Sequence, residues 1–201
     1  KWRLRNLAAN STASGQQTSP QTSRADYWVG VDLGKKVDYS VVAVIRKDGD
    51  IFRLVGLKIF PLGTDYTGET GVISFLKVLN QKLQTIHKIL MDQTGVGESV
   101  VEEAKKSVPH VGGIMLSESS KQDIMNFLKM MMQQKRLLIA YQLDVANELN
   151  IERFQLTKAG KIQYSHPDGT HDDRTWAVAL AVFATRGPTV PGFKPYSRSF
   201  G

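Results

Sequence analysis

The sequence predicts an α/β domain built on a mixed sheet of five or slightly more strands. Three observations carry that prediction. Early strands follow one another through short turns, which makes an antiparallel meander. Later strands alternate with helical stretches, which adds parallel strands with helices packed over the sheet. A late β-hairpin then precedes an apolar, Ala-rich segment with the look of a buried helix.

Residues 7–25 are small and polar, cannot offset the entropy of ordering themselves and read as a linker, with Lys1 to Leu7 as the end of a preceding domain. Order is expected from Tyr27. Tyr27 to Gly34 is an apolar strand, Lys35 to Asp38 a turn, and Ser40 to Ile45 a second strand. Asp48-Gly49-Asp50 is a tight hairpin signal, and Ile51 to Phe60 the third strand.

A Pro/Gly/Thr loop over 61–69 follows. Val72, Phe75, Leu76, Leu79, Leu83 and Ile86 then recur at helical spacing, predicting a helix from Thr70 to about His87. Lys88 to Asp92 is a short strand and Gln93 to Gly97 its turn. A helix from Glu98 to Ser107, with Glu98 offsetting its N-terminus, and a strand from Val111 to Leu116 come next. Ser119, Lys121 and Gln122 read as a capping box for a helix through Gln134, in which Met130, Met131 and Met132 are adaptable core filler.

Arg136 to Ala140 is a strand and Leu143 to Ile151 a short helix. Phe154 to Thr157 and Lys161 to Tyr164 alternate as a hairpin, and the Pro167-Asp168-Gly169 turn leads into the last helix, ending near Gly187-Pro188. The expected organisation is a linker over 1–25, one domain over 26–186 and a mobile tail over 187–201.

Composition narrows the class. Of 201 residues, 41% are hydrophobic and 22% charged, ordinary for a globular chain. No apolar run approaches the roughly 18 residues of a membrane span. With no cysteine, disulfides and thiolate metal sites are excluded, which fits an intracellular setting. The net charge is +7, but residues 1–25 carry Lys1, Arg3, Arg5 and Arg24 with no acid, and the tail adds Lys194 and Arg198. The core over 26–186 is nearly neutral, so basicity alone says little about nucleic acid.

The chemistry lies in the acids. Asp32 ends one apolar strand and Asp92 another, while Asp172 and Asp173 open the Ala-rich helix. An isolated Asp pair at a helix start is ordinarily a cap. Right-handed crossovers, however, place the Lys88–Asp92 strand parallel to and beside the Tyr27–Gly34 strand, so Asp32 and Asp92 share one sheet edge. The turn glycines let backbone approach Asp92, and Ala177, Ala179, Ala181 and Ala184 let the last helix lie tight on the sheet. Its Asp-rich start then reaches the same rim.

Clustered carboxylates repel, and a hard divalent cation relieves that cost, so Mg²⁺ or Mn²⁺ is the natural occupant. Two such ions about 3.5–4 Å apart activate a water and stabilise the leaving oxygen of a phosphodiester. Asp172 and Asp173 point about 100° apart on a helix, so one is expected to bind metal directly and the other to cap or support. Asp38 reads as a turn residue and His171 as a solvated neighbour of the cap. Lys35, Lys36, Lys121, Lys158 and Lys161 are candidate DNA contacts.

Gly30-Val31-Asp32-Leu33-Gly34 with Asp38-Tyr39-Ser40, then Met91-Asp92-Gln93-Thr94-Gly95-Val96-Gly97, then Asn147-Glu148-Leu149, Phe154, Tyr164, His171-Asp172-Asp173 and Ala177 occur in one consistent order. Over about residues 27–186 the chain resembles the nuclease domain of viral DNA-packaging terminase large subunits, a ribonuclease H-like fold related to Holliday-junction resolvases. The resemblance maps the family's metal-binding acids onto Asp32, Asp92, Asp172 and Asp173. It implies an endonuclease that cuts concatemeric double-stranded viral DNA with little sequence preference in the cytoplasm of the infected host cell. It also implies a packaging ATPase domain in the same full-length protein, with portal and small terminase subunit as partners. No Gly-x-x-x-x-Gly-Lys-[Ser/Thr] occurs, so this stretch is not itself the motor.

Two rival readings remain at this point. The Val29–Gly34 run also resembles the phosphate-binding hairpin of actin/hexokinase-type ATPases, although no adenosine-side Gly-Gly motif accompanies it. Alternatively the acids are structural and the chain is a non-catalytic DNA-binding or assembly module.

Overall fold

A computed structural model describes residues 25–34, 38–83, 85–95, 97–139, 143–151, 153–156, 162–165 and 171–187. The expected linker over 1–25, apart from Ala25, and the tail beyond Gly187 lie outside the described residues.

The three apolar strands of the meander are β1 (Asp26–Asp32), β2 (Val41–Asp48) and β3 (Ile51–Ile59), paired antiparallel in sequence order. Gly49 adopts φ +61° in the tight turn between the last two, a conformation glycine takes without steric cost. Helix α1 (Val72–Lys82) then returns the chain to β4 (Thr85–Asp92), which pairs parallel with β1, with Val31 opposite Met91. Helix α2 (Gly97–Lys105) leads to β5 (Val111–Ile114), parallel to β4. Helix α3 (Glu118–Gln133) crosses to β6 (Leu137–Ile139), which pairs parallel with β3 and forms the far edge of the sheet. The sheet order is therefore β5-β4-β1-β2-β3-β6. Helix α4 (Leu143–Ile151), the separate hairpin β7 (Arg153–Leu156) and β8 (Ile162–Ser165), and helix α5 (Asp173–Ala184) complete the domain.

Strand alternation divides the core into two layers. Val29, Val31, Val42, Val44, Ile89 and Met91 face α1 and α2. Val41, Ala43, Ile45 and Leu90 face α3 and α5, whose Ile124, Leu128, Ala177 and Leu180 are fully or almost fully buried. Gly30 and Asp32 alternate with Val29 and Val31, so they lie on the α5 side.

Gly30 decides how close α5 comes. A Cβ there would stand 2.1 Å from the Ala177 carbonyl oxygen and 2.2 Å from the Ala181 nitrogen. The helix backbone thus rests directly on β1, running antiparallel to it. Its first residues reach the end of the strand where Asp32 sits.

Several boundaries differ from the sequence expectation, each for a physical reason. Helix α1 stops at Lys82, because Ile86 instead pairs with Tyr27 in the β1–β4 ladder; a non-local pairing overrides the helical periodicity. Ser117, not Ser119, caps α3, its hydroxyl accepting from the Ser120 N–H, while Ser119 already lies inside the first turn. Of the three consecutive methionines only Met131 is buried; Met130 and Met132 are exposed, since adjacent positions on a helix diverge by about 100°. The sixth strand is Leu137–Ile139, added at the edge beside β3.

The Gly30 contact makes a direct prediction. Gly30→Ala forces a methyl into the α5 backbone and should cost about 3 kcal/mol or more, measured by chemical denaturation. Gly187→Ala, where nothing lies within 4 Å of the new methyl, should cost no more than about 0.5 kcal/mol. Equal small losses would contradict the close approach.

Candidate functional site

Asp32 is the last residue of β1 and is 9% exposed. Asp92 ends the adjacent parallel strand and Asp173 begins α5, itself 6% exposed, with Asp172 in the N-cap position before it. The other three acids each act on Asp32. Burial pushes the Asp32 carboxyl well above the usual range, and the negative charges of Asp173, Asp92 and Asp172 push it further, in that order. The Lys121 ammonium opposes them. No described residue donates a hydrogen bond to the Asp32 carboxylate.

Asp173 is raised to about 6, chiefly by burial, with Asp38 and Asp172 adding to the rise. The Tyr39 N–H donates to its Oδ2 at 3.2 Å and opposes the shift, as does His171, whose Nδ1 stands 3.6 Å away. The Tyr39 ring meets the His171 ring edge to face at 5.3 Å. The chain after β1 therefore returns to support the start of α5.

Each remaining acid is held by its own element. Asp92 Oδ1 accepts from the Thr94 N–H at 2.8 Å, a local turn that fixes the carboxylate at the strand end. Gly95 takes φ +65° in that turn, and a Cβ on Gly97 would stand 2.4 Å from the Asp92 carbonyl oxygen. Asp172 makes no side-chain cap bond; its Oδ2 accepts from the Trp176 indole N–H at 2.8 Å, one turn along. Lys121, in the first turn of α3, lies with its Nζ 5.1 Å from the centre of the Trp176 ring. Tyr66 donates its hydroxyl proton to the Gly34 carbonyl at 2.5 Å, tying down the exit of β1.

Residues 72–185 match the terminase RNaseH-like domain. The chain belongs to this family. Among curated relatives, the terminase large subunit of Thermus virus P23-45 is 26% identical over 164 residues, covering 80% of this chain and 32% of that protein. The chain thus spans about a third of the length of the curated relatives it matches. The large terminase nuclease of thermophilic phage G20c, solved with bound magnesium, superposes with a TM-score of 0.69 at 24% identity, covering 80% of this chain and 82% of that one. The HK97 bacteriophage large terminase superposes with a TM-score of 0.62 at 11% identity, over 81% of this chain and 40% of that one.

This terminase-family domain therefore has the ribonuclease H-like sheet expected from its sequence, with one more strand than the minimum. Asp92, Asp172 and Asp173 stand at the same rim as Asp32, each within range of its charge. Among the described residues no three acidic or histidine side chains are grouped tightly enough to enclose an ion. The donor set is all oxygen and Asp32 has no hydrogen-bond donor among the described residues, so the residues fit a hard divalent cation.

Lys121 is the candidate DNA contact whose position is described, and it faces the acids. Lys35, Lys36, Lys158 and Lys161 lie outside the described residues. Sequence reasoning assigns no role to Glu148, Trp176, Tyr39 or Tyr66. Glu148 does fall within the Asn147-Glu148-Leu149 motif, and a glutamate on a short helix otherwise rich in apolar residues is the available signal.

A stability measurement checks the electrostatics. A raised carboxyl pKa means the native state holds a proton that the unfolded chain has lost, so stability falls as pH rises above the ordinary aspartate value of about 3.9. With chelator present, Asp32→Asn should melt about 2–4 °C or more above the wild type at pH 7.5, and the gap should close toward pH 4. A wild type that melts as high as the variant at pH 7.5 would contradict a strained Asp32.

Proposed function

We propose that this domain is the nuclease of a terminase large subunit, an Mg²⁺- or Mn²⁺-dependent endonuclease that hydrolyses phosphodiester bonds of double-stranded viral DNA. The observation that carries the reading is Asp32, a buried carboxylate that accepts no hydrogen bond from a described residue and is surrounded by the charges of three other acids. A purely structural buried acid acquires donors, and among the described residues Asp32 has none.

In this reading Asp32, Asp92 and Asp173 would hold the divalent ions, with Asp172 beside them. Two bound divalent ions supply the Lewis acidity that activates water and stabilises the leaving oxygen of a phosphodiester. The chain's own part is to fix these carboxylates on rigid elements, two strand ends and a helix start, so that little reorganisation accompanies the reaction. Lys121 offers its charge to a DNA phosphate at the rim, and Lys35, Lys36, Lys158 and Lys161 are proposed for further phosphates. Phosphate contacts carry no sequence information, which accords with cutting that has little sequence preference.

Support for a divalent ion comes from the G20c nuclease, solved with magnesium, cobalt and zinc. A second large terminase from a thermophilic bacteriophage, solved in complex with ATP-gamma-S, is matched over 40% of its length. It supports an ATPase domain elsewhere in the full-length protein. We take residues 1–25 as the linker toward it, 26–186 as the nuclease unit and 187–201 as a tail. Portal and small terminase subunit are the expected assembly partners, and concatemeric DNA in the host cytoplasm the expected setting. No helix among the described residues is long and apolar enough to cross a membrane. Membership of the terminase family leaves the actin/hexokinase-type reading without support.

Plasmid incubated with Mn²⁺ tests the proposal. Asp32→Asn should reduce cleavage at least about a hundredfold, and Asp92→Asn and Asp173→Asn should each lower it strongly, with folding intact by circular dichroism. Cleavage that persists in Asp32→Asn would defeat the assignment. DNA binding without any metal-stimulated cutting would favour the non-catalytic module instead.

A further inference from the structure

Helix α5 begins in an unusual way. An N-cap side chain ordinarily accepts from the N–H of the second or third helical residue, and aspartate is among the best residues for that task. Asp172 occupies the N-cap position, and its carbonyl accepts the first intrahelical bond from the Trp176 N–H at 2.9 Å. Its carboxylate nevertheless makes no cap bond. The two N–H groups it would serve, those of Arg174 and Thr175, donate instead to Glu148 Oε2 at 2.9 and 3.1 Å. Glu148 comes from α4, is 5% exposed, and pairs through Oε1 with the Arg174 guanidinium.

We propose that Glu148 is a positioning residue that caps α5 in place of Asp172 and thereby releases the Asp172 carboxylate to the acid cluster. The inference rests on the nuclease reading above and adds a residue to it. Left to itself, an aspartate at this position turns toward the open N–H groups, because they and the helix dipole attract it. With those donors satisfied from α4, Asp172 is held by the Trp176 indole and adds its charge to the field at Asp32. Glu148 is not itself a candidate ligand, since both of its oxygens are engaged by the start of α5. Its ionised form is matched by Arg174, which offsets the cost of burying it. The arrangement also makes the site depend on the docking of α4, an element that contributes no acid to the cluster.

The test uses the full chain and Mn²⁺ alone as the probe. Glu148→Ala leaves the Arg174 and Thr175 N–H groups to Asp172, and Mn²⁺ affinity by calorimetry should fall about tenfold, the scale on which partners supporting metal ligands act. Asp172→Asn should weaken Mn²⁺ in the wild type and add nothing further in the Glu148→Ala background. Amide exchange at Arg174 and Thr175 should stay protected in Glu148→Ala and become fast in Glu148→Ala with Asp172→Ala. Glu148→Gln, which keeps an oxygen acceptor for both N–H groups, should retain Mn²⁺ affinity within about threefold, and it serves if the alanine variant does not fold. A Glu148→Ala protein that melts lower yet binds Mn²⁺ as the wild type does overturns the proposal. So does an Asp172→Asn protein with unchanged affinity, or a folded Glu148→Gln protein that loses as much as Asp172→Asn. Those outcomes are separate from the cleavage results that bear on the nuclease reading itself, namely cutting that persists in Asp32→Asn or DNA binding with no metal-stimulated cutting.

Discussion

The backbone contact between α5 and β1 at Gly30 is the constraint on which the site depends. With any side chain at that position the helix would ride higher on the sheet, and Asp172 and Asp173 would leave the rim occupied by Asp32. Ala177 and Ala181 supply the matching small surface from the helix. Because helix and strand run antiparallel, one close crossing sets both the height and the direction of α5. Sheet topology supplies the second coordinate. The return through α1 lays β4 parallel to β1, so two strand-terminal aspartates arrive side by side from sixty residues apart.

That geometry concentrates negative charge where water is scarce. Asp32 is disfavoured as an anion by burial and by its neighbours together, and the Lys121 ammonium offsets them only in part. Such an arrangement is destabilising for the domain while no cation balances it. It persists because the rest of the core is large: both faces of a six-stranded sheet are covered, with Ile45, Leu76, Ile89, Met131 and Leu180 all fully buried or nearly so. Active sites commonly carry strain that the surrounding fold sustains, and perturbed carboxyls in such a place are candidates for chemistry rather than packing.

Much of this is legible in the residues. The meander, the parallel return to Asp92 and the Asp-Asp start of a buried helix follow from turn signals, periodicity and crossover handedness, and those suffice to bring the acids to one edge. What is not legible is non-local. The end of α1 escapes the sequence because Ile86 fits a helical period as well as a strand, and only its pairing with Tyr27 settles the matter. Glu148 sits in a stretch whose local pattern says nothing of the α5 start it serves, 26 residues on to Arg174. Trp176 looks like core, and it is core, yet its ring edge holds Asp172 while its face meets Lys121. A local reading identifies which element a side chain belongs to, but not which distant backbone groups it satisfies.

Anomalous diffraction from crystals of the domain soaked in Mn²⁺ would locate any cation these acids hold. Manganese should be bound by Asp32 together with acids from β4 and the start of α5, with oxygen distances of about 2.0–2.3 Å. Manganese bound elsewhere, with Asp32 touching no ion at saturating concentration, would contradict it.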